Sequence, residues 1–344
     1  MKLRIGFIGV GAMGLSHLKA MHLGCGERAE AVAVCARSEE NIRKALEVAP
    51  KVRVFKEESE LIESEVDAIF ISTPNFTHVP LALEVLKAGK HLFLEKPVGI
   101  TRAECEKLLA ASEKTKRVLM IGHELRYSPY FQKMKELVDA GEIGRPRMVY
   151  CKEFRGPFQK KSQDWILDAR KSGGTLVDKN CHHFDLMNWW VGSRPKTVCA
   201  FGGVAGKKNS KHQALDHATV SFEYENGVLG TLQLCMFAPE TKGEDLEMGI
   251  VGEKGILQTR ISMIELLLWK KGSGLIEPMV IPVAAKRGEG WGKHLGFDEM
   301  HEAFLDAIEK GKRPLTTVRD CVDGTLLAIA AEESLGKGRV IEIC

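Results

Sequence analysis

The chain has 344 residues, long enough for two domains, and its 49 basic and 46 acidic residues leave a formal charge of +3. With 44% hydrophobic and 28% charged residues it has the make-up of a globular protein with a real core. The near-cancelling charge argues against a nucleic-acid surface, which needs clustered Lys and Arg. The pairs Lys160-Lys161 and Lys207-Lys208 read as solvated loop charges. Nine cysteines without a CxxC pair suggest neither a zinc cage nor a disulfide framework, but reduced thiols in a cytoplasmic protein. The opening "MKLRIGFIGVG" enters a strand with no signal-like apolar stretch, and no run is long and apolar enough to expect a membrane span.

Short apolar runs recur through the first third: "LRIGFIGV", "AEAVAVCA", "KVRVF", "VDAIFIST", "HLFLEK" and "RVLMIG". Several are apolar at consecutive positions, as in strands covered on both faces. Helical patterns lie between them. "VPLALEVLKAG" stops at Gly89, and "TRAECEKLLAASEK" opens with Thr101 and Glu104 at capping-box spacing. Strand–helix–strand repetition predicts a parallel, doubly wound sheet.

The first unit contains "GVGAMG", with Gly9, Gly11 and Gly14 in GxGxxG spacing between a strand and a helix. In that context Gly9 makes the tight turn, Gly11 admits a pyrophosphate and Gly14 lets helix and strand pack closely. The alternative is a glycine-rich turn without ligand. After the second strand, Ala36 stands where an acid would bind the ribose 2′-hydroxyl of NAD, followed by Arg37 and Ser38. That favours a 2′-phosphate and leans toward NADP. The same residues also read as a helix start capped by Ser38, and both readings can hold.

Ligands gather beyond the carboxyl ends of parallel strands. "STPNFTH" leaves the fourth strand there and "EKP" the fifth, so Lys96 can hold a cation over a substrate oxygen during hydride transfer. A snorkelling lysine paired with Glu95 is the bland alternative, and Pro97 fixes the turn with a possible cis peptide. Farther on, "SGGTLVDKNCHHFDLMNWWVG" puts Asp178, His182 and Asp185 at i, i+4 and i+7, one face of a helix. Asp178 can orient the His182 imidazole, which takes a proton near neutral pH. A metal would lack the remaining shell there, so none is expected. His183 alone reads as a core histidine.

Together "GVGAMG", "STPNFTH", "EKP" and the DxxxHxxD pattern resemble the glucose–fructose oxidoreductase/inositol dehydrogenase/MocA (Gfo/Idh/MocA) family over most of the chain. The resemblance implies an α/β protein: an N-terminal Rossmann domain, residues 1–122, and a C-terminal α/β domain, 123–344, on a large, mainly antiparallel open sheet that supports homodimers or homotetramers. Local patterns agree, with alternating strands around Asn226-Gly227, read as a two-residue hairpin. The family implies an NAD or NADP cofactor. It implies Lys96, Asp178 and His182 as the catalytic set, with Asp178 and His182 also touching substrate. Gly9, Gly11, Ala12, Met13, Gly14, Arg37, Ser38, Thr73, Pro74, Asn75, His78, Glu95, Lys96 and Pro97 would hold the cofactor. Arg126 and Trp165 would lie near nicotinamide or substrate. Lys179, Asn180 and Cys181 depart from the small residues usual between Asp and His, and would reshape the site or meet a subunit. The implied activity is hydride transfer at a secondary alcohol of a sugar, a cyclic polyol such as inositol, or a related hydroxy compound. A glycosidase that holds NAD tightly and a non-catalytic dinucleotide or sugar sensor are the alternatives.

Overall fold

The computed structural model describes residues 1–157, 162–205, 214–239, 245–260, 265–274, 276–283 and 296–343, so the Lys160-Lys161 and Lys207-Lys208 pairs lie outside the described residues. The chain divides into two units: Met1–Tyr127 with Gly288–Val322, and Ser128–Arg287 with Asp323–Cys344.

In the first unit, strands and helices alternate: β1 (Leu3–Ile8), α1 (Ala12–Lys19), β2 (Ala29–Cys35), α2 (Glu39–Val48), β3 (Arg53–Phe55), α3 (Glu58–Glu63), β4 (Ala68–Ile71), α4 (His78–Lys87), β5 (His91–Leu94), α5 (Arg102–Lys114) and β6 (Leu119–Ile121). The six strands are all parallel, in the order β3-β2-β1-β4-β5-β6. This is the doubly wound arrangement with its switch point beside β1. β4 is buried along its whole length, which explains its unbroken apolar run. Thr101 caps α5 by accepting from the Glu104 N–H at 3.2 Å, while Glu104 Oε2 accepts from the Ile100 N–H at 2.8 Å. The expected capping box therefore forms, shifted back by one residue on its return bond.

The second unit holds α6 (Pro129–Asp139), β7 (Pro146–Phe154), α7 (Ala169–Ser172), α8 (Cys181–Val191), β8 (Pro195–Gly203), β9 (His217–Tyr224), β10 (Leu229–Cys235), β11 (Asp245–Gly252), β12 (Gly255–Arg260), β13 (Glu265–Lys270), β14 (Met279–Ile281) and β15 (Ile341–Glu342). Its nine strands run β14-β13-β12-β11-β7-β10-β9-β8-β15, antiparallel except where β10 meets β7. Two central glycines are covered by cross-strand aromatic rings: Gly230 by Phe222 and Gly249 by Tyr150. A side chain at either position would collide with the ring. The β9–β10 turn departs from expectation. Tyr224 N–H donates to Val228 O at 2.9 Å, so three residues close it, with Gly227 at φ +79° and Val228 N–H donating to Asn226 Oδ1. This is the three-residue loop with a left-handed glycine, not a two-residue turn.

Before the last strand the chain returns to the first unit through α9 (Phe297–Lys310) and the start of α10 (Val318–Lys337). A single cut after residue 122 does not anticipate this. The cause is the apolar stripe Met300, Phe304 and Leu305, which completes the core over Phe7, Phe70 and Phe93. The Phe304 ring stands edge-on to Phe70, centroids 5.3 Å apart. Arg28 fastens the same helix, reaching Asp306 at 2.7 Å and Glu309 at 2.6 Å.

Candidate active site

In the first unit the loops after β1, β2, β4 and β5 all leave one edge of the parallel sheet, because every strand runs the same way. Gly9 turns the chain at φ +84°, and a Cβ there would meet the Ser72 carbonyl at 2.7 Å. A Cβ on Gly14 would lie 1.9 Å from Gly9 O, so only glycine lets α1 start this close to β1. Gly11 is the opposite case, with nothing within 4 Å of a Cβ position. Gly11 also caps α1 without a side-chain bond, and no acid lies in the first turn made by Ala12 and Met13. That leaves N–H donors facing open space, which suits a phosphate group. Ser72 Oγ, at the end of β4, is buried and finds no partner among the described residues. The residues present therefore fit a dinucleotide pyrophosphate.

At the end of β2, Ser38 does cap α2, accepting from Asn41 N–H at 3.4 Å, so the helix-start reading holds. Arg37 is 79% exposed and pairs with Glu58 at 3.1 Å. After β4, Thr73 and Pro74 lead into a 3-10 turn, Asn75–Thr77. His78 is buried with Nε2 2.9 Å from Thr73 O and Nδ1 3.2 Å from Pro97 O. Burial pushes its pKa down, against those two carbonyls. The ring thus lies between the loop after β4 and the one after β5, and the nitrogen that carries its single proton donates to the carbonyl it faces. Lys96 follows β5 directly, and its bond to Pro97 is cis. Glu95 turns inward, 5% exposed, with Oε1 2.8 Å from His17 Nε2. Arg126, on the 3-10 turn Glu124–Tyr127, is buried and donates to the carbonyls of Leu315 at 3.1 Å and Asp320 at 2.8 Å.

In the second unit, Asp178 does not sit on an uninterrupted α-helix. Leu176–Asn180 forms one turn of π-helix that runs into α8, which carries His182 and Asp185. The wider turn brings Asp178 and His182 to successive turns while absorbing an extra residue, a feature frequent at functional sites. All three side chains are buried. Trp165 is half-buried in the 3-10 turn Ser162–Leu167.

Lys179, Asn180 and Cys181 turn into the unit. Glu153 of β7, fully buried, receives the Lys179 amine at 2.9 Å and the Asn180 amide at 3.0 Å, with His183 Nδ1 at 3.6 Å and Arg155 at 3.7 Å. Burial works to raise the Glu153 carboxyl, but Lys179, His183 and Arg155 outweigh it and hold it at about 2. Asn180 Nδ2 also lies 3.1 Å from His183 Nδ1, so His183 is the satisfied core histidine expected. At the other end of the π-turn, Glu332 of α10 accepts from the Leu176 N–H at 2.7 Å, and burial raises its pKa to about 7. Glu153, Glu332 and His17 escape sequence reading because each acquires meaning only through partners far away in the chain.

Residues 3–123 match the model of an oxidoreductase family with an NAD-binding Rossmann fold, and residues 131–258 match the GFO/IDH/MocA C-terminal domain. A myo-inositol 2-dehydrogenase of Thermotoga maritima is 27% identical, over 99% of this chain and 98% of its own. The scyllo-inositol 2-dehydrogenase (NAD(+)) of Bacillus subtilis is 26% identical over 81% of this chain and 78% of its own. An oxidoreductase domain protein from Kribbella flavida superposes with a TM-score of 0.89 at 24% identity, covering all of both chains. The chain belongs to the GFO/IDH/MocA family of NAD-binding oxidoreductases.

Proposed function

We propose that this oxidoreductase moves a hydride between a nicotinamide dinucleotide and a secondary alcohol or ketone of a cyclic polyol or sugar, with inositols the first class to test. The observation that carries the reading is the delivery of Lys96 by β5 to the same sheet edge as the open glycine turn of β1. Gly9, Gly11, Ala12, Met13 and Gly14 would hold the pyrophosphate, while Thr73, Pro74, Asn75, Glu95 and Pro97 would shape the loops around the nicotinamide end. A bound nicotinamide supplies the hydride acceptor or donor. In oxidation the His182 imidazole takes the hydroxyl proton, Asp178 orients that imidazole or a neighbouring hydroxyl, and Lys96 steadies the alkoxide-like oxygen. A polyol offers several hydroxyls, and buried polar groups such as Asp178 and Asp185 reject analogues that leave them unpartnered.

The end of β2 favours NADP. Ala36 offers no carboxylate to a 2′-hydroxyl, and the exposed Arg37–Glu58 pair is worth less than about 1 kcal/mol, so a 2′-phosphate displaces Glu58 at little cost. Eight described cysteines are free thiols, in keeping with a reducing, cytoplasmic setting. No helix among the described residues is long and apolar enough to cross a membrane. The exposed face of the nine-stranded sheet fits a homodimer or homotetramer.

A panel of inositols and sugars assayed with NAD and NADP tests the reading. The expected result is net cofactor reduction with a cyclic polyol, lost by about 100-fold or more in Lys96→Ala while dinucleotide still binds. Full turnover in that variant would end the assignment of Lys96.

A further inference from the structure

His17 lies on the buried face of α1, fully enclosed and ringed by Phe70, Phe93 and Phe297 with centroids 5.6, 5.0 and 4.9 Å away. Its Nε2 is 2.8 Å from Glu95 Oε1 and its Nδ1 2.9 Å from His301 Nε2. His301 Nδ1 in turn lies 2.6 Å from the Phe297 carbonyl oxygen. All six residues belong to the first unit.

The protons of this chain can be counted. A carbonyl oxygen only accepts, so His301 Nδ1 carries a proton and donates it. Three contacts at hydrogen-bond distance then need three protons. Two neutral imidazoles bring two between them, so the third is an additional proton, and with the Glu95 carboxylate the chain is neutral as a whole. The Lys96 ammonium next in the chain keeps Glu95 ionised rather than protonated, so the additional proton sits on a ring, and a cation is most stable on the ring that touches the anion. Burial and the neighbouring His17 push His301 down to about 3, so that ring stays neutral. Burial works to raise Glu95, and the hydrogen bond and charge of His17, with Lys96 and His78 nearby, outweigh it.

We propose that His17 is a positioning residue for the hydride-transfer chemistry: held as an imidazolium between Glu95 and His301, it takes up the charge of Glu95 and leaves the Glu95-Lys96-Pro97 turn with the net positive charge of Lys96. The inference deepens the reading of Lys96 as the cation that steadies a developing oxyanion, and rests on it. A carboxylate one residue away would otherwise cancel much of that cation's field. Here the carboxylate is matched from the interior by a group that never meets substrate. The aromatic walls matter for the same reason: they keep the pair dry, where a charge is shielded least by water.

His17→Gln separates charge from hydrogen bonding, since its amide still donates to Glu95 but brings no charge. The expected result is a kcat lower by about 10- to 100-fold with the dinucleotide Kd changed less than about twofold. The double variant His17→Gln/Glu95→Gln, which removes the unmatched carboxylate, is expected to recover at least about tenfold of that loss. A merely structural histidine would show no such recovery. Nitrogen-15 NMR of histidine-labelled full-length protein at neutral pH reads the protons directly, with His17 assigned by its absence in His17→Gln. Two protons on the His17 ring and one on His301 are expected, and a neutral His17 overturns the proposal. Unchanged kcat in His17→Gln beside a dead Lys96→Ala also overturns it, and leaves the dehydrogenase reading standing. Full turnover in Lys96→Ala would remove that reading, and this inference with it.

Discussion

Glu153 is a full charge in the interior of the second unit, and its stability rests on neighbours rather than on water. A carboxylate buried without partners would protonate; Lys179, Asn180 and the approach of His183 and Arg155 keep it ionised. Removing one partner of a buried pair strands the other, which costs about 3–5 kcal/mol. Glu153→Leu is therefore expected to destabilise the second unit by that amount in urea unfolding. Glu153→Leu/Lys179→Met, which removes both charges, is expected to regain at least half of it, and a double variant no better than the single would sink the account. In the sequence, Lys179-Asn180-Cys181 were legible as an oddity beside Asp178, yet not their direction. The partner of Lys179 and Asn180 is a glutamate on β7, some two dozen residues earlier, and nothing local marks it. His17 is similar: its position three residues after Gly14 reads as the apolar side of a helix, and only Glu95 and His301 reveal its hydrogen-bonding partners.

At the scale of an element, the π-turn Leu176–Asn180 is held from both ends. Glu153 grips its last residues, and Glu332 takes the N–H of its first. The pKa of Glu332 is raised to about 7 from an ordinary value of 4.5 by burial, with the Leu176 N–H opposing. The fold therefore favours the protonated acid. Below about pH 4.5 both folded and unfolded chains hold the proton and no penalty exists. Between there and pH 7 the unfolded chain ionises first, so stability falls as pH rises, by about 3 kcal/mol in total, and then levels off. Glu332→Gln keeps an acceptor for Leu176 and loses the titration. Unfolding followed at pH 5 and pH 8 should show the wild type losing about 2.5 kcal/mol more than the variant; equal losses would dispose of the claim. Helical periodicity sets Asp178, His182 and Asp185 on one face, but a 3.6-residue period cannot announce a wider turn. The β9–β10 hairpin was legible for the same local reason that its length was not. Asn226-Gly227 marks the reversal, while the register on either side is set by burial of Phe222 and Leu232.

Across the whole molecule, the first sheet was readable because buried parallel strands leave consecutive apolar residues, and the helices between them leave caps and C-terminal glycines. The return of α9 to the first unit was not, since its stripe of Met300, Phe304 and Leu305 would suit any apolar surface. The second sheet carries a further consequence. Its strands alternate, and one face is covered by residues such as Val149, Cys151, Leu232 and Val220. The other face exposes Met148 at 48%, Leu229 at 51%, Phe201 at 74% and Val280 at 62%. Strand pairing places Met148 directly beside Leu229, and the register through β9 puts Phe201 on that same face. Large apolar side chains gathered on one sheet face are costly in water and characteristic of an association surface. The paired substitution Met148→Glu with Leu229→Glu puts two carboxylates side by side where apolar contact is needed, and leaves the covered face untouched. Light scattering should give the wild-type chain a mass of two or four times 38.1 kDa and the variant a mass near 38.1 kDa. A monomeric wild type, or a variant that still assembles, would show that this face is simply solvated.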